Sequence, residues 1–111
     1  MRVTQWDALQ WPVEIPATIR EGRGCAIDIT IVNLSLGGCR VWAGYSLRTG
    51  RSGKLVIAKF SPITLDIVES EAWFATFRFD QPIHYSVLDH LRMLYPAGEQ
   101  PIAQRKGYGG L

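Results

Sequence analysis

The chain has 111 residues, 47% of them hydrophobic and 11% aromatic, which suits one folded domain and excludes a wholly disordered chain. Its formal net charge of +2 comes from 12 Lys and Arg against 10 Asp and Glu, without the basic cluster that is typical of nucleic-acid-binding domains. No segment approaches the ~18 consecutive apolar residues of a membrane span. The composition therefore predicts a cytoplasmic protein with no membrane span and no nucleic-acid partner.

Short segments with period-two alternation of apolar residues follow one another along most of the chain. The first is VEIPATI at 13–19, and the second is CAIDITIVN at 25–33, in which three isoleucines alternate with polar residues. The charged REGRG between them is typical of a hairpin turn. Four more strands are predicted: CRVWA, KLVIAKF, ITLDIV and EAWFATFRF. Six short strands with tight connections predict an antiparallel β-barrel, because closure removes exposed strand edges.

One helix is predicted near the C-terminal end of the chain. Apolar residues recur at i, i+4 and i+7 from Val87 within YSVLDHLRMLYP, which places them on one helical face. Ser86 and Asp89 have the spacing of a capping box, and Pro96 predicts the end of the helix. The predicted fold class is therefore all-β with one C-terminal helix, which packs over one mouth of the barrel.

These elements predict a single domain over residues 1–96. The segment GEQPIAQRKGYGGL, which ends the chain, contains glycine, proline and charge without any apolar periodicity. Residues 97–111 are therefore predicted to form a flexible C-terminal tail.

Reactive side chains are few, and their spacing predicts neither an enzyme nor a metal site. Cys25 and Cys39 are too few for a disulfide framework, and both are expected to be reduced thiols. His84 and His90 are six residues apart, so they fall on different faces of the predicted helix. The pattern lacks a Ser/His/Asp set and paired carboxylates in a cleft, and a non-catalytic protein is the resulting expectation.

The stretch NLSLGG, at the end of the second predicted strand, carries a different kind of chemistry. Asn33 offers an amide donor and acceptor, Ser35 offers a small hydroxyl, and Gly37 and Gly38 permit close approach to the backbone. Backbone amides flanked by glycine can also bind an anion. In an arbitrary β protein the same residues are more often a plain turn.

This stretch resembles the [DN]-x-S-x-x-G motif of the PilZ domain family. Three residues occupy its defined positions: Asn33, Ser35 and Gly38. Downstream, FRFDQPIHYSVLDHLR is similar to the final strand, acidic-Pro turn and closing helix of that family. The resemblance covers roughly residues 10 to 95 and implies a six-stranded antiparallel PilZ-like β-barrel with a C-terminal helix.

The resemblance implies a signalling module that binds cyclic di-GMP, a bacterial second messenger, and needs no other cofactor. It also implies a protein partner in signalling, motility or polysaccharide machinery. The candidate ligand-binding residues are Asn33, Ser35, Gly37, Gly38, Arg40, Arg2 and Trp6. The alternative is a degenerate PilZ adaptor that binds no nucleotide and acts through protein contacts.

The chain departs from the family at the R-x-x-x-R motif, whose two arginines grip phosphates. In one alignment Arg2 stands for the first arginine and Trp6 takes the place of the second. Another alignment places different residues there: Gln5 or Trp6, and Leu9 or Gln10. Each charge-assisted hydrogen bond contributes about 1.5 to 3 kcal/mol, so the loss predicts binding weaker by about one to four powers of ten. An exposed Trp6 indole could stack on a base in compensation.

Overall fold

A computed structural model describes residues 10–44 and 47–98. Its elements are β1 (Trp11–Glu21), β2 (Ile27–Leu34), β3 (Gly38–Trp42), β4 (Ser52–Val56), β5 (Ile63–Glu71), β6 (Phe74–Phe79) and α1 (Tyr85–Leu94). The predicted class, all-β with one C-terminal helix, is confirmed. The first strand extends two residues beyond each end of the predicted segment 13–19.

The six strands form a closed antiparallel barrel in the order β1-β2-β3-β6-β5-β4. Strands that follow one another in sequence pair with each other, except β3 and β4, and two non-consecutive pairings, β3 with β6 and β4 with β1, close the cylinder. Closure leaves every strand paired on both sides, which satisfies backbone groups that an open sheet would expose at its edges.

The core lies inside the barrel and continues onto the helix. Phe77, Ile31 and Ile19 are fully buried because their side chains point inward on alternate strand positions. From α1, Leu88 and Leu91 join the same hydrophobic cluster and are also buried. The helix is therefore part of the folded unit and not an appendage.

The amino end of α1 is capped differently from the prediction. His84 is the N-cap residue, and its Nδ1 accepts a hydrogen bond from the Ser86 backbone N–H at 3.0 Å. Asp89 instead accepts from Arg92 Nε at 3.0 Å, so the predicted capping box between Ser86 and Asp89 is wrong. The Arg92 guanidinium also lies 4.4 Å from the centre of the Trp11 ring, which ties the helix to β1.

Beyond the helix the chain returns to β1. The Glu14 N–H donates to the Tyr95 carbonyl at 3.0 Å, and Gly98 N–H donates to Glu14 Oε1 at 3.0 Å. Gly98 of the predicted tail thus contacts the barrel, whereas residues 99–111 of that tail lie outside the described residues. Across 10–44 and 47–98, no helix is long and apolar enough to cross a membrane.

Candidate functional site

Ser35 closes the turn between β2 and β3. Its side chain is completely buried, and its hydroxyl donates to the Gly38 carbonyl at 3.0 Å while accepting from the Gly38 N–H at 3.2 Å. The Ser35 N–H also donates to the Gly38 carbonyl, at 2.9 Å. In a common β-turn the fourth residue's N–H bonds to the first residue's carbonyl, and here the serine hydroxyl takes that place.

Gly37 and Gly38, the two glycines of the turn, lie against β6. A Cβ atom on Gly38 would overlap the Phe77 carbonyl oxygen, so only glycine allows β3 to approach β6 at this position. The neighbouring Gly37 carbonyl accepts a hydrogen bond from Phe79 N–H at 2.8 Å. Ser35 and Gly38 of the motif thus stabilise the turn and its packing against β6. The direct ligand contact predicted for Ser35 stays a prediction.

Asn33 owes its outward position to a bulge in β2. Ile31 pairs with Val41, but the next pair is Asn33 with Arg40, so the register skips Val32. In a regular ladder Val32 would lie opposite Arg40. Because of the extra residue, the Asn33 amide and not the Val32 side chain lies beside the Arg40 guanidinium. Bulges commonly redirect side chains in this way.

A second bulge has the same effect in β5. Ile67 pairs with Phe77, and the next pair is Glu69 with Thr76, so the register skips Val68. Without the extra residue Val68 would lie opposite Thr76. The bulge leaves Val68 37% exposed and puts a carboxylate in its place.

The two bulges align four side chains on the outer face of the barrel, which we call the polar row. It runs across β2, β3, β6 and β5 and consists of Asn33, Arg40, Thr76 and Glu69. Each member is the direct cross-strand partner of the next, which brings Cβ atoms to about 4.5–5.5 Å from one another. Both end residues of the row follow immediately after a bulge.

Arg40 is the centre of the hydrogen bonding in the polar row. Its Nη1 donates to Thr76 Oγ1 at 3.0 Å and to Glu69 Oε1 at 3.2 Å. Thr76 Oγ1 in turn donates to the same Glu69 oxygen at 3.3 Å. The Arg40 guanidinium lies over the Phe74 ring, 5.4 Å from its centre, and makes a cation–π contact with it.

Asn33 differs from the other members of the polar row. In the described parts of the chain its side-chain amide makes no hydrogen bond, and the residue is half-buried. Its donor and acceptor are therefore available to a bound molecule, next to the Arg40 guanidinium.

Sequence reasoning predicted Asn33 and Arg40 but missed Glu69, Thr76 and Phe74. The alternation within EAWFATFRF could have indicated that Phe74 and Thr76 share the outer face. Glu69 had no such signal, because simple alternation from Ile67 would place it inside the barrel.

Arg2 and Trp6 fall outside the described residues. Cys25 is exposed, Cys39 is buried, and both are free, as expected. Burial raises the pKa of the Cys39 thiol, which keeps it protonated and unreactive. Within the described ranges no three His, Cys, Asp or Glu side chains are grouped to hold a metal ion.

Comparison with known proteins adds no family to this geometry. No protein-family model matches the chain, and neither a curated protein nor a solved structure does. The PilZ resemblance therefore remains an interpretation of the NLSLGG stretch and the downstream segment.

Proposed function

We propose that this protein is a non-catalytic PilZ-type module that binds cyclic di-GMP on the outer face of its barrel. The observation that carries the proposal is the position of Asn33, whose available amide lies beside Arg40 in the polar row. An amide can pair with a guanine edge, and a guanidinium binds phosphate. The barrel with its C-terminal helix also agrees with the fold that the resemblance implies.

In this proposal the residues have two different roles, one in shaping the turn and one in binding the ligand. Ser35 and Gly38 set the shape of the turn through their mutual hydrogen bonds and through the close approach of Gly38 to the Phe77 carbonyl oxygen. Asn33 and Arg40 contact the ligand. A cytoplasmic location follows, since a second messenger acts inside the cell.

A titration of the full chain with cyclic di-GMP tests the proposal. The amide chemical shifts of residues 33–40 should move first, and guanosine monophosphate at the same concentration should move them far less. The variant carrying Trp6→Arg and Gln10→Arg should bind more tightly, because it restores the R-x-x-x-R spacing and its charge-assisted phosphate contacts. If millimolar cyclic di-GMP leaves these amides of the natural chain unmoved, the proposal is wrong.

A second function, the degenerate PilZ adaptor, is favoured by apolar side chains on α1. Met93 is 74% exposed and Leu94 is 55% exposed, although both are large hydrophobic residues. In this reading a protein of signalling, motility or polysaccharide machinery replaces the nucleotide. The same titration separates the two functions: an adaptor shows no shifts in the natural chain, and only the arginine-restored variant binds.

A further inference from the structure

The carboxylate of Glu69 has the geometry of an anionic ligand bound to the polar row. A single oxygen, Oε1, accepts from Arg40 Nη1 at 3.2 Å and from Thr76 Oγ1 at 3.3 Å. A phosphate oxygen bound at Arg40 would use the same two donors. The β5 bulge is what places this carboxylate, and not the apolar Val68, opposite Thr76.

The side chains of Arg40 and Glu69, which form this ion pair, differ in how strongly their surroundings restrain them. The Arg40 side chain is 32% exposed and is fixed by Thr76 and the Phe74 ring. The Glu69 side chain is 64% exposed, and within the described residues its only partners are Arg40 and Thr76. Solvent screens such a surface pair, so Glu69 can rotate away at low cost while Arg40 keeps its position.

We infer that Glu69 is a built-in competitor, which occupies the anion position of Arg40 until a phosphate group displaces it. The inference deepens the proposed function and rests on it for the identity of the natural ligand, cyclic di-GMP. Glu69 acts on affinity in two ways, because it blocks the donors and because its negative charge opposes an incoming phosphate. The competition adds to the effect of the missing R-x-x-x-R motif and raises the ligand concentration needed for binding.

Glu69→Gln is the direct test, since it removes the charge and keeps the size of the side chain. Glu71→Gln is the matched control: it lies on the same strand, changes the net charge equally, and has no described contact with Arg40. Both variants and the natural chain are titrated with cyclic di-GMP and, separately, with inorganic pyrophosphate. The Arg40 side-chain Nε–H resonance reports on the guanidinium, and thermal unfolding confirms that each variant is folded.

Glu69→Gln should bind both probes about 3- to 10-fold more tightly than the natural chain, and Glu71→Gln should differ from it by less than about 2-fold. If the two variants bind cyclic di-GMP equally, the competitor role is wrong and the proposed function stands. If pyrophosphate alone binds, with the gain confined to Glu69→Gln, the competitor role stands and cyclic di-GMP is not the ligand. If neither cyclic di-GMP nor pyrophosphate binds any of the three chains, both the competitor role and the proposed function are wrong.

Discussion

The Ser35 hydroxyl and the Gly38 backbone hydrogen-bond in both directions, at 3.0 Å to the carbonyl and 3.2 Å from the N–H. This relationship accounts for the three-residue spacing between serine and glycine in the motif. It does not account for Asn33, whose side chain has no such structural duty in the described residues. The motif therefore combines a turn-building pair with one outward-facing amide.

Ser35→Ala should destabilise the fold, because it leaves the buried Gly38 N–H without its acceptor. The expected loss is about 1–3 kcal/mol in the free energy of unfolding, measured by urea denaturation. Ser61→Ala is the control, since Ser61 is exposed and should change stability by no more than about 0.5 kcal/mol. Equal midpoints for the two variants would show that the hydroxyl is not needed for the turn.

Gly38→Ala should separate β3 from β6, because its Cβ would overlap the Phe77 carbonyl oxygen. We expect a loss of about 3 kcal/mol in the free energy of unfolding, at the upper end for overpacked sites. Gly22→Ala isolates backbone strain: its φ is +52° with no heavy atom within 4 Å of the new Cβ, so about 1 kcal/mol is expected. A Gly38→Ala loss no larger than that of Gly22→Ala would contradict the steric explanation.

Asn33→Ala should lower the affinity for cyclic di-GMP about 10-fold, since it removes the amide that faces the ligand. Its unfolding free energy should change by no more than about 0.5 kcal/mol, because the side chain makes no hydrogen bond in the described structure. Isothermal titration calorimetry measures the first effect and thermal unfolding the second. Gln81→Ala, an exposed amide outside the polar row, should leave binding unchanged.

Cys39 should make the protein less stable at alkaline pH. Burial raises the pKa of its thiol in the folded state, while the unfolded chain ionises near the usual pKa of about 8.5. The stabilisation is complete below pH 8.5 and falls above it, by about 2 kcal/mol between pH 8 and pH 10. Denaturant titrations at pH 8 and at pH 10 measure this change: the free energy of unfolding of the natural chain should fall by about 2 kcal/mol more than that of Cys39→Ala. An equal fall in the two chains would exclude the effect.

Leu91→Ala should destabilise the whole barrel and not only the helix, since Leu91 belongs to the shared hydrophobic cluster. A loss of about 2–5 kcal/mol in the free energy of unfolding is expected, with strand and helix signals lost together. Met93→Ala, on the exposed part of α1, should change stability by no more than about 0.5 kcal/mol. Separate transitions for helix and sheet would show that α1 folds independently of the barrel.

Local pattern in the sequence was enough for the number and order of the elements, but not for all their bounds: β4 ends at Val56 within the predicted KLVIAKF, and β6 begins at Phe74 within the predicted EAWFATFRF. The alternation of Ile27, Ile29 and Ile31 predicted β2, the REGRG segment predicted its hairpin turn, and the apolar spacing from Val87 predicted α1. The helix cap was mispredicted, because a histidine side chain can accept a hydrogen bond where the common capping residues do. These features depend on residues within a few positions of one another, which is why one sequence determines them.

Only the tertiary structure decided which side chains form the polar row. Side chains alternate between the two faces of a strand, so a single bulged residue reverses the assignment of everything beyond it. The bulges at Val32 and Val68 are defined by pairing with β3 and β6, and that pairing depends on the closed barrel. Asn33 could be chosen by its motif, whereas Glu69 became visible only when strands distant in sequence brought its carboxylate to Arg40.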